Sequence, residues 1–192
     1  PHIILHEARF DHDSIRVDLK TKRTERGEDY LTVNPKGAVP SLRLDNGEIL
    51  TENAVVLQYL GDKEGGPLLP KVGDLRRYRV LEWLNFVATE LHKSFGPFFK
   101  PTGEETKQFA RDLVSSKLDF VEGRIGEKPF LMGDIFTLPD AYLFVMLGWL
   151  GSAKLDPARW PKLQAYRRRI EQRPSVRQGL EFEGLGPDEA AG

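Results

Sequence analysis

Cysteine is absent from all 192 residues. That excludes a disulfide framework, a thiolate-held zinc or iron–sulfur centre, and a protein thiol nucleophile within these residues. An excess of one charge is missing as well: 28 Lys and Arg stand against 29 Asp and Glu, a formal net charge of −1. No overall field therefore draws the chain to nucleic acid or to an anionic membrane, and any ligand has to be recognised locally. The most apolar stretch, Ala141 to Leu150, is interrupted by Gly148 and falls well short of the ~20 residues that span a bilayer. The opening Pro1-His2-Ile3-Ile4-Leu5 has neither the basic start nor the small-residue cleavage site of a secretory leader. What remains is a chain with 40% hydrophobic residues, enough to bury the core of one ordinary domain or two small packed ones.

Periodicity divides the chain into two halves. Ile3, Ile4, Leu5, Ala8 and Phe10 read as a helix under way from residue 2 without a capping residue. Ser14 to Leu19 alternates, with Ile15, Val17 and Leu19 on one side, and predicts a strand. Asn34-Pro35-Lys36-Gly37-Ala38-Val39-Pro40 is a constrained loop that leads into a strand at Ser41 to Leu44. Asp45-Asn46-Gly47 then predicts a hairpin, since Asn-Gly tolerates the positive φ of a tight turn. Glu48 to Leu50 returns, and Thr51 or Glu52 opens a helix through Leu60. Gly61 to Asp74, with four glycines and two prolines, reads as a connection. Beyond it the pattern is helical: Leu75 to Phe99, Glu104 to Ile125, an all-apolar Leu138 to Leu150, Arg159 to Gln172 and Ser175 to Leu180, with a frayed tail over Gly184 to Gly192. The expected organisation is an α/β unit over residues 1–62, a linker over 63–74 and an all-helical unit over 75–192.

Several residue groups carry chemistry at this level. Thr137-Leu138-Pro139-Asp140 fits a capping box that starts the buried helix. His2 and His6, four apart with Glu7 adjacent, share a helix face, but two ligands do not make a metal site and no third set has metal spacing, so no metal is expected. Arg167-Arg168-Arg169 fits the surface of an amphipathic helix. Asn85, Thr89 and His92 would share one face of a regular helix with Lys93 flanking it, a polar stripe that faces water, a cleft or a partner chain. Thr51-Glu52-Asn53 is compatible with a simple helix start or with an anion site, and Lys22, in a run with Lys20, Arg23 and Arg26, with a solvated surface or a ligand contact.

A mixed α/β unit with a Val-Pro loop before a hairpin and a Thr-Glu-Asn helix start, followed by a helical unit, resembles the glutathione transferases. Residues 17–22 (Val-Asp-Leu-Lys-Thr-Lys), 34–40, 50–52, 82–86 (Glu-Trp-Leu-Asn-Phe), 88–93 (Ala-Thr-Glu-Leu-His-Lys), 141–144 (Ala-Tyr-Leu-Phe) and 183–185 look like the bacterial beta class. The resemblance implies a thioredoxin-like first domain lacking its opening strand, an all-α second domain, a cytoplasmic homodimer, and glutathione as substrate. It also implies conjugation of glutathione to small apolar electrophiles, or thiol–disulfide exchange; a non-catalytic glutathione-binding or regulatory protein of the same fold is the alternative. Family members carry a strand and a turn with a Tyr and a Cys before the match to His2, so the main catalytic residue is expected ahead of Pro1. By the same resemblance, Val39 pairs with the cysteinyl unit beside a cis Pro40, and Glu52 and Asn53 take the γ-glutamyl end. Lys22 meets the glycyl carboxylate. Asn85, Thr89, Glu90 and Leu91 belong to the cleft segment that reaches glutathione, in part across a dimer. His92 and Lys93 lie near the sulfur, with His92 assisting catalysis, and Phe95, Phe98 and Phe99 are expected in the second-substrate pocket.

Overall fold

A computed structural model describes residues 1–185; the expected tail lies outside the described residues from 186 onward. The first half holds α1 (His2–Glu7), β1 (Val17–Asp18), β2 (Arg23–Thr24), β3 (Ser41–Arg43), β4 (Ile49–Thr51) and α2 (Asn53–Glu64). The second half is helical: α3 (Leu75–Asn85), α4 (His92–Phe95), α5 (Glu104–Ile125), α6 (Leu138–Gly148), α7 (Pro161–Glu171) and α8 (Pro174–Phe182). This is a small α/β thioredoxin-like domain with few strands followed by an all-α domain.

The hairpin forms where Asn46-Gly47 predicts it. Ser41 pairs with Thr51, Leu42 with Leu50 and Arg43 with Ile49, and Gly47 has φ +88. The expected Ser14–Leu19 strand is reduced to Val17–Asp18, which pairs only with Arg23–Thr24 in a separate ribbon. The alternation has no packed face to serve, because Ile15, Val17 and Leu19 line an open groove of about 1150 Å³ whose other wall includes Leu42 and Ile49. Ile15 and Leu19 are consequently exposed.

Gly61 is the second departure from the sequence reading. It predicts a break, yet α2 runs through it to Glu64. A Cβ at this position would stand 2.9 Å from Leu69 Cβ and 3.1 Å from Leu138 Cδ1, so the glycine lets two apolar side chains close onto the helix backbone. Just beyond, Arg77 of α3 takes both oxygens of Asp62 at 2.7 and 2.9 Å and the Pro70 carbonyl at 3.0 Å, fastening the connecting loop.

One hydrophobic core joins both halves and includes Ile4, Leu57, Leu84, Leu118, Leu138 and Leu143. At its centre Asp140, fully buried, accepts four hydrogen bonds. Its two oxygens receive Leu131 N–H and Tyr166 O–H on one side, and Thr137 N–H and O–H on the other, all at 2.8 Å. Burial pushes the carboxyl pKa up, and those four donors pull it back down. The two ends of the chain are tied by Glu7 of α1, which Arg173 and Ser175 both contact, while the Arg173 guanidinium lies 4.2 Å from the Phe136 ring centroid.

Candidate active site

The cleft wall on the α/β side begins at the loop before β3. Tyr30 O–H donates to the Ala38 carbonyl at 2.8 Å and Asn34 Nδ2 donates to the same oxygen at 2.7 Å, so the loop is pinned from beneath. Val39, joined to Pro40 by a cis peptide bond, is 49% exposed and makes no backbone–backbone hydrogen bond among the described residues. Its N–H and C=O are therefore open to an extended partner. Lys22, with φ +57, donates Nζ to the Gly37 carbonyl at 2.7 Å, which ties its ammonium to this loop with two N–H donors to spare.

The hairpin register brings the start of α2 beside that loop. Glu52 precedes the helix with φ +69 and ψ 115, a conformation rare for a residue with a Cβ and a source of local strain. Its carbonyl accepts from Val55 and Val56 N–H at 2.9 Å each, and the first-turn N–H groups of Asn53 and Ala54 have no helical partner. The Glu52 side chain has a partner within the protein: Lys36 Nζ bonds its carboxylate and reaches Thr51 Oγ1 at 2.8 Å. The hydrogen bond from Lys36, with added attraction from Lys93, holds the Glu52 carboxyl below the usual range.

The opposite wall departs from the expected single helix over Leu75–Phe99. α3 ends at Asn85, Phe86–Leu91 form a π-helical turn, and α4 gives way to a 3₁₀ turn at Gly96–Phe99. A π turn bonds i to i+5 and winds with more residues per turn than an α-helix, so it rotates the faces of the residues on either side of it relative to one another. The stripe expected from regular spacing is split by that rotation. Asn85, Thr89 and Glu90 are exposed, Thr89 Oγ1 donates to the Asn85 carbonyl at 3.0 Å, and Lys117 Nζ bonds Glu90 at 2.8 Å. Leu91 is 0% exposed and belongs to the core, so its side chain does not reach a ligand. His92 turns inward, Nδ1 2.5 Å from the Tyr142 hydroxyl, with its ring edge-on to Trp149 at 5.0 Å. Lys93, beside it, is exposed and close enough to Glu52 to act on its charge.

Burial, with Lys93 adding to it, lowers the His92 pKa and keeps the imidazole neutral near pH 7. Burial raises the Tyr142 pKa, and the Asn53 side chain at the start of α2 acts in the opposite direction. Of the three expected pocket phenylalanines, Phe95 is fully buried, whereas Phe98 is partly exposed and Phe99 is 54% exposed against Trp149 at 4.8 Å. Three residues of this site escape the sequence reading. Tyr142, within the 141–144 segment, and Trp149 read as ordinary members of an apolar helix, and neither the spacing nor the resemblance gives them a role in the site. Lys36 could have been found by counting outward from the hairpin, since pairing Ser41 with Thr51 brings the residues before β3 next to Glu52. His2 and His6 lie elsewhere, on α1 beside His12, and among the described residues no His, Cys, Asp and Glu group has the geometry to hold a metal.

Comparison with known proteins gives one answer for both halves. The family described as glutathione S-transferase, N-terminal domain, matches residues 1–63, and the glutathione S-transferase C-terminal domain matches residues 86–174. The chain is 43% identical to glutathione S-transferase GstA of Escherichia coli O157:H7 over 186 residues, which is 96% of this chain and 92% of that protein. It superimposes on a bacterial beta class glutathione S-transferase of Sphingomonas chungbukensis with a TM-score of 0.93 at 44% identity, covering 97% of this chain and 94% of that one. A sphingomonad glutathione S-transferase complexed with glutathione gives a TM-score of 0.91 at 44% identity with the same coverage, 97% and 94%. The chain belongs to the glutathione S-transferase family.

Proposed function

We propose that the cleft between the start of α2 and His92 binds reduced glutathione in an extended pose and presents its sulfur to the imidazole. The chain acts as a glutathione transferase, and the assignment of roles within it follows from chemistry. Glutathione carries two carboxylates, one ammonium and one thiol. The Asn53 and Ala54 N–H groups, at the positive end of α2, suit the γ-glutamyl carboxylate. Glu52, still holding Lys36 on one oxygen, takes the ammonium on the other. Val39 pairs with the cysteinyl amide as one strand pairs with another. Lys22 meets the glycyl carboxylate through its free donors.

Chemistry requires a thiolate. The sulfur gives its proton to solvent, and the neutral His92 imidazole with the Lys93 ammonium stabilises the resulting charge. The thiolate pair then attacks an electrophilic carbon, a carbon–sulfur bond forms, and the leaving group departs with its electrons. Trp149 and Phe99 form an aromatic wall beside His92 and suit a small apolar electrophile. The exposed Asn85, Thr89 and Glu90 face the second copy of a homodimer. A cytoplasmic location suits dependence on reduced glutathione, whose pool is maintained there.

One observation carries the reading: the Tyr142 hydroxyl bonds His92 and lies within electrostatic reach of Asn53 and Glu52 at the α2 start, so the groups that fit the γ-glutamyl end and the group that fits the sulfur share one cleft. The test is glutathione conjugation to chlorodinitrobenzene, compared between the wild type and His92→Asn. The expected result is a catalysed rate whose kcat falls about tenfold in the variant, the loss of one hydrogen bond to a charged group, with KM for glutathione retained. Equal kcat in the two proteins overturns the placement of the sulfur.

A further inference from the structure

A neutral imidazole has one N–H, and which nitrogen carries it decides whether His92 helps or opposes a thiolate. The structure constrains the choice. The Tyr142 hydroxyl lies 2.5 Å from His92 Nδ1. It is the hydroxyl of a side chain only 7% exposed, so its single proton needs an acceptor. Among the described residues the hydroxyl's one hydrogen-bond partner is His92 Nδ1, and Asn53 Oδ1 is buried without any. The proton therefore lies on the line to His92.

We propose that Tyr142 is a positioning residue that donates to His92 Nδ1, fixes the imidazole as its Nε2–H tautomer, and so aims an N–H at the substrate sulfur. Among the described residues Nε2 has no hydrogen-bond partner and is not one of the buried unpaired atoms, so it is accessible to a ligand. Trp149, edge-on to the ring at 5.0 Å, holds the plane of the imidazole. The charged groups around the pair are Lys93, which acts on His92, and Glu52, which acts on Tyr142 and is itself paired with Lys36. Lys93 disfavours a second proton on His92, and Glu52 disfavours ionisation of the phenol, so both favour the donation from Tyr142 to His92. The opposite tautomer would turn a lone pair toward the thiolate. The proposal rests on the reading that glutathione places its sulfur at His92.

Two readouts separate the proposal from that reading. Long-range proton–nitrogen correlation spectra of the labelled full chain near neutral pH are expected to show His92 Nε2 protonated and Nδ1 bare. In Tyr142→Phe, which keeps the ring and removes only the hydroxyl, Nδ1–H should appear in part. Thiolate absorbance of bound glutathione, followed against pH, should then move to higher pH, with kcat/KM near neutrality lower by roughly tenfold and the glutathione Kd within about twofold. A side chain that merely fills space would leave the tautomer and the thiol titration untouched. Nδ1–H in the wild type, or a full Nε2–H population in Tyr142→Phe, overturns the proposal. If the tautomer behaves as stated but the His92 signals do not respond to added reduced glutathione, the tautomer assignment stands and the placement of the sulfur is refuted.

Discussion

Replacing Asp140 with alanine removes an acceptor from four donors that stay behind. Leu131 N–H and Thr137 N–H are fixed by the backbone, while the Thr137 and Tyr166 hydroxyls can rotate toward other partners. Two stranded backbone donors at about 1–3 kcal/mol each, one of them the Thr137 N–H of the capping box, give a cost of about 4 kcal/mol. That is a large share of the roughly 5–15 kcal/mol that holds a domain folded. Asp140→Asn keeps the shape and one acceptor oxygen, so it should lose about half as much. Tyr166→Phe removes one donor and leaves the carboxylate three, so about 1 kcal/mol is expected. Equilibrium urea unfolding at neutral pH and fixed protein concentration reads all three. An Asp140→Ala protein within 1 kcal/mol of wild type, or a Tyr166→Phe protein that loses as much as Asp140→Ala, refutes the argument.

Other perturbations address packing, charge and binding. Gly61→Ala gains helix propensity but drives a methyl group to 2.9 Å from Leu69 Cβ, so a net loss of about 1–2 kcal/mol is expected in urea unfolding; a gain in stability contradicts the close-packing role. Burial and nearby positive groups lower the His2 pKa from 6.5 to about 4, with His6 and His92 shifted the same way. These histidines are neutral when folded and gain protons on unfolding. Their contribution is therefore complete above pH 6.5 and is lost as pH falls below it, for His2 toward about 4, and a Tm that stays flat from pH 7 to about 5 at constant ionic strength is the contrary result. Glu52→Gln should raise the Kd for reduced glutathione by roughly tenfold in calorimetry by weakening a charge-assisted bond to the ammonium. An unchanged Kd sinks that contact.

Much of the architecture can be read from short-range signals. The Asn46-Gly47 turn sets the register from Ser41–Thr51 to Arg43–Ile49, the Thr137–Asp140 pattern starts α6, and Glu104–Ile125 is helical over the whole predicted span. Features that depend on distant partners are less visible. Ile15 and Leu19 alternate like a buried strand, but only Val17–Asp18 finds a neighbour to pair with. Gly61 has the composition of a linker and the role of a contact surface, which becomes apparent only once Leu69 and Leu138 are in place. Phe86–Leu91 keep the apolar spacing of an α-helix while winding wider, and that wider turn sends Asn85 and Thr89 outward and His92 inward. The site follows the same division. Val39, Glu52, Asn53, His92 and Lys93 emerge from local motifs and resemblance, whereas Lys36, Tyr142 and Trp149 join them through pairings across 16, 50 and 57 residues, respectively.

The most direct test of the account is a crystal structure of the protein with reduced glutathione bound. It should show the tripeptide extended along Val39, its ammonium on Glu52, its γ-glutamyl carboxylate on the Asn53 and Ala54 N–H groups, and its sulfur within hydrogen-bond reach of His92 Nε2. Glutathione lying outside the cleft, or seated there with its sulfur turned away from His92, would contradict it.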